Sequence, residues 1–358
     1  MSGPLPAFLA PLTVPASRVY GWAVERRNAR FDRGVDVQAV DRPVISIGNL
    51  TTGGVGKTPM VAWLCDQLRK HNHQPVIAMR GYMARPGELS DEQAEYAMRL
   101  PDVPVVANPD RVAALRSFLP QNPAIDCVVL DDGFQHRYLK RDLDLVLIDA
   151  TAGTMSDQLL PAGNLREPLT SLRRADGVIV THATSVDRGL AREIERYHGS
   201  PPLAWTQHVW AGLRIFDPAT ARENAQTKQA ASLSHRTEPI DWLRRKRVLT
   251  LLGVGKPASI MDQLEKLGAK VMVNIPARDH ERYDRPKLTM ARGLCDGCDA
   301  MVMTGKDWVK VQSLIDLTKW PVPIVVPELA LKVFEGAHEL RDLALAAVRA
   351  PLASASDR

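Results

Sequence analysis

A glycine-rich segment that ends in Gly-Lys-Thr carries the clearest chemistry in this chain of 358 residues. Residues 45–59 read ISIGNLTTGGVGKTP, so an apolar run leads into the glycines and a helix-like segment follows them. In that context, successive backbone N–H groups and a helix N-terminus can hold phosphate oxygens. The usual spacing pattern has a glycine where this chain has Thr51. We predict a nucleotide phosphate site formed by Thr51, Thr52, Gly53, Gly54, Val55, Gly56, Lys57 and Thr58.

The acidic half of such a site follows an apolar run further along the chain. A lysine in the position of Lys57 reaches the β and γ phosphates, and the hydroxyl of Thr58 is placed to ligate Mg²⁺. Residues 126–133 read DCVVLDDG, which puts Asp131 and Asp132 at the end of a predicted strand. A carboxylate there holds Mg²⁺ through its water shell. The residues therefore predict ATP and Mg²⁺ as cofactors, and they do not decide which aspartate contacts the metal.

A phosphate loop does not name a reaction, and three classes of protein remain open. The first is a kinase that acts on a small or lipid-like hydroxyl, and the second is an NTP-driven switch of the partition or metallochaperone type. The third is a non-catalytic, membrane-attached binding protein. Partition switches carry a lysine directly before Gly-Gly, where this chain has Thr52. The many acidic and basic residues beyond the loop favour an enzyme over a binding protein.

Composition excludes several architectures. Lys and Arg number 46 and Asp and Glu number 41, for a formal net charge of +5, and 45% of the residues are hydrophobic. These values are typical of a soluble globular protein and exclude a disordered, collagenous or coiled-coil chain. Mild basicity fits an anionic substrate or an anionic membrane. The four cysteines are too few for a disulfide-built fold, and the Cys295–Cys298 pair lacks the partners of a zinc site.

The elements that must position these residues alternate along the chain. Near-continuous apolar runs suit a parallel sheet that is covered on both faces. We expect such buried strands at 43–47, 75–79, 103–107, 126–130, 144–148 and 177–181. Segments 57–70, 90–100 and 109–119 are long enough to be crossover helices. The prediction is an α/β fold with a P-loop NTPase-type parallel sheet domain and a smaller C-terminal α/β domain.

Changes in the pattern predict where the domains begin and end. The sequence becomes polar and irregular after residue 201, and a second alternation of strands and helices begins near 247. We predict a phosphate-loop domain with an N-terminal helix over 1–200 and a junction over 201–240. The smaller domain then covers 241–330, and a C-terminal helix with its tail covers 331–358.

The N-terminal segment is apolar and is followed by a basic run at 25–33. It contains four prolines, and no stretch of the chain reaches the roughly 18 apolar residues of a spanning helix. An apolar segment with an arginine-rich flank can lie in a membrane interface. The alternative is a helix packed on its own domain, and the two interpretations are compatible.

Four motifs together resemble one enzyme family. They are GNLTTGGVGKTP at 48–59, RGY at 80–82, LDDGFQHRYLKRDLDLVLID at 130–149 and LLPAGNLREP at 159–168. They closely resemble the tetraacyldisaccharide 4′-kinases of lipid A biosynthesis, from about residue 8 to residue 348. The resemblance implies transfer of the ATP γ-phosphate to the 4′-hydroxyl of a tetraacyldisaccharide 1-phosphate. It also implies a peripheral enzyme on the cytoplasmic face of the inner membrane, with an acylated lipid substrate, no nucleic acid partner and a monomeric state.

The resemblance also implies roles for individual residues. Asp91 is the implied general base on the sugar hydroxyl, and His280 of the second domain is implied to pair with it. Ser90 and Gln93 also form a capping box, so Asp91 alone predicts only a helix start. Gln135 and His136 are implied to face the γ-phosphate or metal-bound water. Arg166 is implied to contact phosphate, and Glu167 is implied to contact the metal. Arg137 and Arg141 are implied to contact the 1-phosphate of the acceptor.

Overall fold

The structure, a computed structural model, describes residues 10–81, 91–226, 234–253, 257–277 and 283–349. The chain divides into two compact units. The first unit consists of Met1–His208 and Leu331–Arg358, and the second is Val209–Ala330. The second unit is therefore inserted into the first.

The first unit alternates strands and helices, as the apolar runs predict. Its elements up to the unit boundary are α1 (Ala10–Asp32), β1 (Val44–Asn49), α2 (Lys57–Lys70), β2 (Pro75–Met79), α3 (Asp91–Arg99), β3 (Val105–Ala107), α4 (Arg111–Phe118), β4 (Cys127–Asp131), β5 (Leu143–Asp149), β6 (Gly177–Thr181), α5 (Arg188–His198) and the start of β7 (Ala204–Phe216). The predicted segments 57–70, 90–100 and 109–119 all form helices.

The strands of the first unit form a parallel sheet in the order β3-β2-β4-β1-β5-β6-β7. Every residue of β1, β4, β5 and β6 is buried, because helices cover the sheet on both faces. β1 lies between β4 and β5, so the loop that follows β1 sits beside the carboxyl end of β4. The predicted P-loop NTPase-type α/β fold is confirmed.

The second unit repeats the α/β pattern on a smaller scale. After the end of β7 it contains α6 (Pro218–Gln226), β8 (Arg236–Glu238), β9 (Arg247–Leu252), α7 (Pro257–Lys266), β10 (Lys270–Pro276), α8 (Arg285–Gly293), β11 (Ala300–Met303), α9 (Gly305–Val311) and the start of β12 (Ile324–Glu335). Strands β10, β9, β11 and β12 pair in parallel in that order, and β8 pairs antiparallel with β7.

Two predicted segments differ in the structure. The segment 201–240, predicted as a junction, contains the long strand β7 and the helix α6. The C-terminal helix α10 spans Ala337–Arg349, whereas the prediction began it at 331. Residues 331–335 continue β12, and Gly336 follows in the left-handed region at φ 74°. A Cβ on Gly336 would lie 2.0 Å from the Leu203 carbonyl oxygen, so the strand and helix are separated at a position that only glycine fits.

Helix α1 has one buried and one exposed face. The buried face repeats at helical spacing and consists of Thr13, Ser17, Val24, Asn28 and Phe31. It is attached to the rest of the first unit, because the Ser17 hydroxyl donates to the Leu159 carbonyl at 2.9 Å and the Tyr20 hydroxyl donates to the Arg166 carbonyl at 2.9 Å. Among the helices that the structure describes, none combines the length and apolarity needed to cross a bilayer.

Candidate active site

The loop between β1 and α2 has the geometry of a phosphate site. Gly56 precedes α2 in the left-handed region, at φ 84°, and no side chain caps the first turn of this helix. The first N–H groups of a helix have no partner within the helix, and here they are left for a ligand. Together with the positive end of the helix dipole they favour an anion.

Residues 164–166 pair with the backbone at the start of this loop. The backbone N–H of Thr52 donates to the Asn164 carbonyl at 2.8 Å, and the N–H of Arg166 donates to the Leu50 carbonyl at 2.7 Å. Thr51 and Leu165 form a β-bridge between these two bonds. The LLPAGNLREP motif therefore has a structural explanation, because its backbone fixes the shape of the phosphate loop.

Lys57 is held at the edge of the loop by two oxygen-bearing side chains. Its ammonium donates to Oδ1 of Asn49 at 3.1 Å and lies 3.4 Å from Oδ1 of Asp132. Asn49 also accepts a hydrogen bond from Arg166 and donates through Nδ2 to the Thr51 carbonyl at 2.8 Å. Sequence reasoning missed Asn49, although it is the last residue of the strand that leads into the loop.

Asp132 is the centre of a cluster of opposite charges. Arg166 donates to both of its carboxylate oxygens, at 3.0 and 2.9 Å. Burial by itself would raise the pKa of Asp132, but Arg166 and Lys57 hold that pKa well below its usual range. Asp132 is therefore ionised at neutral pH, and it shares its charge between two cations that a phosphate could also attract.

Asp131 has a different environment, although it is the neighbour of Asp132. It is buried, and the hydroxyl of the fully buried Tyr96 donates to its Oδ2 at 2.9 Å. Burial raises the pKa of Asp131 to about 6, although Lys57 and the Tyr96 hydrogen bond act to lower it. Tyr96 belongs to α3, so this bond fastens the helix that begins at Asp91 to the end of β4.

The residues of this region fit a Mg²⁺ ion that arrives with a nucleotide. Thr58, Asp131 and Asp132 offer hydroxyl and carboxylate oxygens, which Mg²⁺ prefers. Oδ1 of Asp131 is buried and accepts no hydrogen bond from the part of the chain that the structure describes. Within that same part, no three His, Cys, Asp or Glu side chains are arranged to hold a metal by themselves. Mg²⁺ in phosphate-transfer sites completes its shell with phosphates and waters.

Gln135 and His136 both line a cleft beside the phosphate loop, and their role toward the γ-phosphate or metal-bound water stays a prediction. The side-chain amide of Gln135 donates to the Asn49 carbonyl at 3.0 Å, so this residue supports the end of β1. Burial, with the help of Arg111 and Arg141, lowers the pKa of His136 to about 4. His136 is therefore a neutral imidazole at neutral pH and can donate or accept a hydrogen bond.

Glu167 does not have the environment expected of a metal ligand. It is 1% exposed, and Arg174 donates to both of its oxygens at 2.8 and 2.9 Å. Asn28 of α1 donates to the same carboxylate at 2.7 Å. Because both oxygens are occupied by a buried guanidinium and an amide, we interpret Glu167 as the residue that fastens α1 to the loop before the 3₁₀ helix Leu169–Arg174.

Arg137 and Arg141 are also engaged in structural contacts. Arg137 donates to Asp32 at 2.7 Å and to the Asn28 carbonyl at 3.1 Å. Arg141 donates to the buried Asp144 at 2.7 and 3.2 Å. Both guanidinium groups are therefore bound within the first unit, and their implied role toward an acceptor phosphate stays a prediction.

Four further arginines line a cleft of about 680 Å³ beside the phosphate loop. All of its walls belong to the first unit. They are formed by Arg27, Gln38, Arg80, Pro109, Asp110, Arg111, Val112, Asp132, Gln135, His136, Tyr138 and Arg166. Four arginines against two aspartates make this cleft suited to an anion, and Asp132 and Arg166 join it to the phosphate loop.

The two implied catalytic residues, Asp91 and His280, differ in how much of their structure is described. α3 begins at Asp91, as the capping box predicts, but the side chain of Asp91 lies outside the described residues. His280 lies outside them altogether. Their pairing stays a prediction.

Comparison with known proteins gives one consistent result. A family model described as tetraacyldisaccharide-1-P 4′-kinase matches residues 9–346. A tetraacyldisaccharide 4′-kinase of Geobacter sulfurreducens is 33% identical over 322 residues, which cover 85% of this chain and 84% of that protein. The corresponding protein of Anaeromyxobacter dehalogenans strain 2CP-1 is 35% identical over 328 residues, which cover 86% of this chain and 83% of that protein.

A solved structure is similar over almost the whole length. It is the crystal structure of the "apo" form of LpxK from Aquifex aeolicus in complex with ATP. The TM-score is 0.70 with 26% sequence identity, and the match covers 95% of this chain and 99% of that one. Both units of the present fold are therefore included in the similarity.

Proposed function

This chain belongs to the tetraacyldisaccharide-1-phosphate 4′-kinase family, and we propose from that premise which of its residues carry out the reaction. The enzyme transfers the γ-phosphate of ATP to the 4′-hydroxyl of a tetraacyldisaccharide 1-phosphate, a step of lipid A biosynthesis. The observation that carries the proposal is the contact of Lys57, Asp132 and Arg166 at the point where the phosphate loop meets the arginine-lined cleft.

The loop and its lysine hold the phosphates of ATP. The N–H groups at the start of α2 bind the phosphate oxygens, and Lys57 reaches the β and γ phosphates. Lys57 and Arg166 both contact Asp132, whose single negative charge offsets only one of these two positive charges. An incoming triphosphate competes with Asp132 for both cations. Lys57 and Arg166 then interact with the oxygens of the transferred phosphate as well as with Asp132. Their positive charge stabilises the transition state, in which negative charge is spread over the phosphoryl oxygens.

We propose that Thr58 and Asp132 hold Mg²⁺ and that Asp131 lies further from the solvent, as a buried neighbour of Asp132. Asp132 lines the cleft, whereas Asp131 is fastened by Tyr96 and is only 5% exposed. When bound, the ion neutralises and aligns the β and γ phosphates. Tyr96 fixes the orientation of the Asp131 carboxylate, and Arg166 fixes that of Asp132.

The acceptor enters through the cleft, and its 1-phosphate binds Arg111. This guanidinium is 4% exposed, and its Nε has no hydrogen-bond partner among the residues described. Burial lowers the pKa of Arg111, while Asp132 and Asp131 act to raise it. A buried cation without a matched counter-charge is costly, and a phosphate would remove that cost by charge-assisted hydrogen bonds.

An Arg111→Ala enzyme is expected to raise the KM for the lipid by about ten- to a hundredfold, which corresponds to one lost hydrogen bond to a charged group. The KM for ATP should change much less. The measurement is transfer of labelled γ-phosphate from ATP to a tetraacyldisaccharide 1-phosphate in detergent micelles. Arg192→Ala, which removes an exposed arginine from α5, is the matched control. An acceptor without the 1-phosphate should make the variant and the unaltered enzyme equal, and a persistent difference would contradict this assignment.

Proton removal from the 4′-hydroxyl is assigned to Asp91, with His280 as its partner. The support is the start of α3 at Asp91 and the attachment of that helix to Asp131 through Tyr96. A carboxylate at a helix N-terminus is favoured by the helix dipole, so it stays ionised and able to accept the proton.

The exposed face of α1 is assigned to contact with an anionic membrane at the cytoplasmic side. Val19 is 67% exposed and Trp22 is 62% exposed, and the Arg26 guanidinium lies 5.7 Å from the centre of the Trp22 ring. Positions 19, 22 and 26 share one helix face, opposite to the face packed on the first unit. An apolar patch followed by arginines suits the interface of a bilayer with anionic lipids.

Replacement of both Val19 and Trp22 by serine is expected to weaken binding to phosphatidylglycerol-containing vesicles by at least about tenfold, because two large apolar side chains no longer enter the interface. Vesicle flotation of the full chain measures this. A Val186→Ser and Met290→Ser protein is the control, since these side chains are 45% and 50% exposed elsewhere. Equal flotation of both proteins would exclude α1 as the membrane contact.

A further inference from the structure

Three side chains that the transfer reaction does not use meet beside the carboxyl ends of β5 and β6, next to the first half of β7. They are Asp149 at the end of β5, His182 directly after β6, and His208 in β7. Nδ1 of His182 lies 3.1 Å from Oδ2 of Asp149. The rings of His182 and His208 are 4.4 Å apart and inclined by 78°. All three residues belong to the first unit.

This histidine cluster lies against the phosphate loop. A Cβ added to Gly56 would lie 2.7 Å from both Cε1 and Nε2 of His208, so the ring fills the place where any other residue would carry a side chain. Beside it, the Thr181 hydroxyl donates to the Val55 carbonyl at 2.9 Å and fastens the end of β6 to the loop. Nε2 of His208 is buried and has no hydrogen-bond partner in the described part of the chain.

The order of the strands indicates what reaches this cluster. β1 lies between β4 and β5, so the loop has one side toward β4 and the other toward β5, β6 and β7. Asp132, Arg166 and the acceptor cleft are on the β4 side. The γ-phosphate must therefore point toward β4. The α-phosphate and the nucleoside of the same ATP then extend to the other side, over the carboxyl ends of the strands where ligands bind in such sheets.

We propose that His182 and His208 form the nucleoside-binding end of the ATP site and contact the ribose and the base. This inference rests on the proposed function, because it assumes that the loop binds a nucleoside triphosphate. The Asp149 carboxylate lies 3.1 Å from Nδ1 of His182, so it packs against this ring, which is 27% exposed. His208 offers a flat ring and an unpartnered nitrogen beside Gly56. Imidazole rings can stack on a purine and hydrogen-bond to its edge or to the ribose.

The charge states of the cluster agree with this role. Burial, with His182 nearby, lowers the pKa of His208 to about 4, so this ring is neutral at neutral pH. Burial by itself would raise the pKa of Asp149, but hydrogen bonds from His182 and Thr151 lower it to about 2. A neutral ring loses little hydration when a base covers it, whereas an imidazolium would lose more.

Direct binding measurements can separate this inference from the kinase assignment. Calorimetric titration with ATP and with inorganic tripolyphosphate, both with Mg²⁺, compares ligands that differ by the nucleoside. In His182→Ala and His208→Gln proteins, the Kd for ATP should rise about tenfold, the magnitude expected for one lost stacking or hydrogen-bonding contact. The Kd for tripolyphosphate should stay within about twofold. His338→Ala, an exposed histidine in α10, is the control.

The possible results are distinct. An equal rise for ATP and tripolyphosphate would mean that the histidines only support the loop, and no rise for either would mean that the nucleoside lies elsewhere; both outcomes overturn the inference. Two separate variants are used because His208 is the more buried of the two, and a His208→Gln protein that fails to fold leaves His182→Ala to decide. If the unaltered protein binds neither ligand, the proposed function itself fails.

Discussion

Replacing Lys57 by alanine is expected to lower kcat by about a thousandfold, the magnitude typical of removing one group that stabilises the transition-state charge. Lys57 is the cation that the loop places nearest to the phosphates, and Asn49 and Asp132 hold its ammonium at the edge of the loop. Its positive charge is needed most when the phosphoryl group is between donor and acceptor. The loss should therefore fall on kcat more than on the KM for ATP.

The fold should survive this substitution. The Lys57 side chain is only partly buried, at 20% exposure, and Asp132 keeps two hydrogen bonds from Arg166 when Lys57 is absent. Lys70→Ala, which removes an exposed lysine from the last turn of the same helix, is the matched control. Labelled phosphate transfer and thermal unfolding of both proteins give the result. A Lys57→Ala enzyme with near-full activity would show that the phosphate-loop assignment is wrong.

The phosphate loop could be predicted from the sequence because its chemistry is local. Strand, glycines, lysine and helix are adjacent in the chain, so their order is enough to predict the site. α2 begins and ends at the predicted residues, 57 and 70. The position of Asp131 and Asp132 at the end of β4 was also predictable, because a buried apolar run that meets an acidic pair indicates the end of a strand. Their role toward a metal stays a prediction.

Partners that are distant in the chain could not be predicted in the same way. Asn49, Tyr96 and Asn164 each support the site through one or two hydrogen bonds. Nothing in the residue types around them distinguishes them from other asparagines and tyrosines. Their importance follows from the strand order, which places the ends of β1 and β4 together, and from α3 lying over that edge.

Contacts that are distant in the chain also decide the environment of Glu167. The resemblance implied a metal ligand at this position, and the sequence does not reveal that Arg174 and Asn28 bind its oxygens. Asp132 is also paired with an arginine, but its side chain is 37% exposed and lines the cleft, whereas Glu167 is 1% exposed. Asp132 is therefore the more accessible of the two carboxylates to a metal ion. The unit boundary at His208 lies inside the predicted junction 201–240, but the sequence did not indicate that the strand β7 continues from one unit into the next.

Replacing Asp91 by asparagine is expected to lower kcat for lipid phosphorylation by about a hundred- to ten-thousandfold, the range that a general base contributes. The amide keeps the size of the carboxylate but carries no charge and cannot accept the proton. α3 starts at this residue, and Tyr96 in the same helix donates to Asp131. The helix start is thereby tied to the strand end that carries the metal-site carboxylates.

The control for this substitution is Asp187→Asn. Asp187 is also a carboxylate at a helix start, where it accepts hydrogen bonds from the N–H groups of Gly189 and Leu190 at the beginning of α5. Asparagine caps a helix about as well as aspartate, so neither substitution should cost much stability. Any difference in activity between the two variants then reports the chemistry at residue 91 and not the loss of a helix cap.

The product that carries the labelled phosphate, lipid or free phosphate, shows whether Asp91 acts as the base and whether the lipid is the acceptor. With labelled γ-phosphate, the unaltered enzyme should put label into the lipid, and Asp91→Asn should lose this transfer while its KM for ATP stays close to that of the unaltered enzyme. Label in the lipid with both proteins would keep the kinase and exclude Asp91 as the base. Phosphate released only to water, even by the unaltered enzyme, would contradict lipid phosphorylation itself. Because phosphoryl transfer has a loose transition state, the hydroxyl loses its proton late. If the loss of kcat in Asp91→Asn is smaller than in Lys57→Ala, charge stabilisation contributes more to the rate than proton removal does.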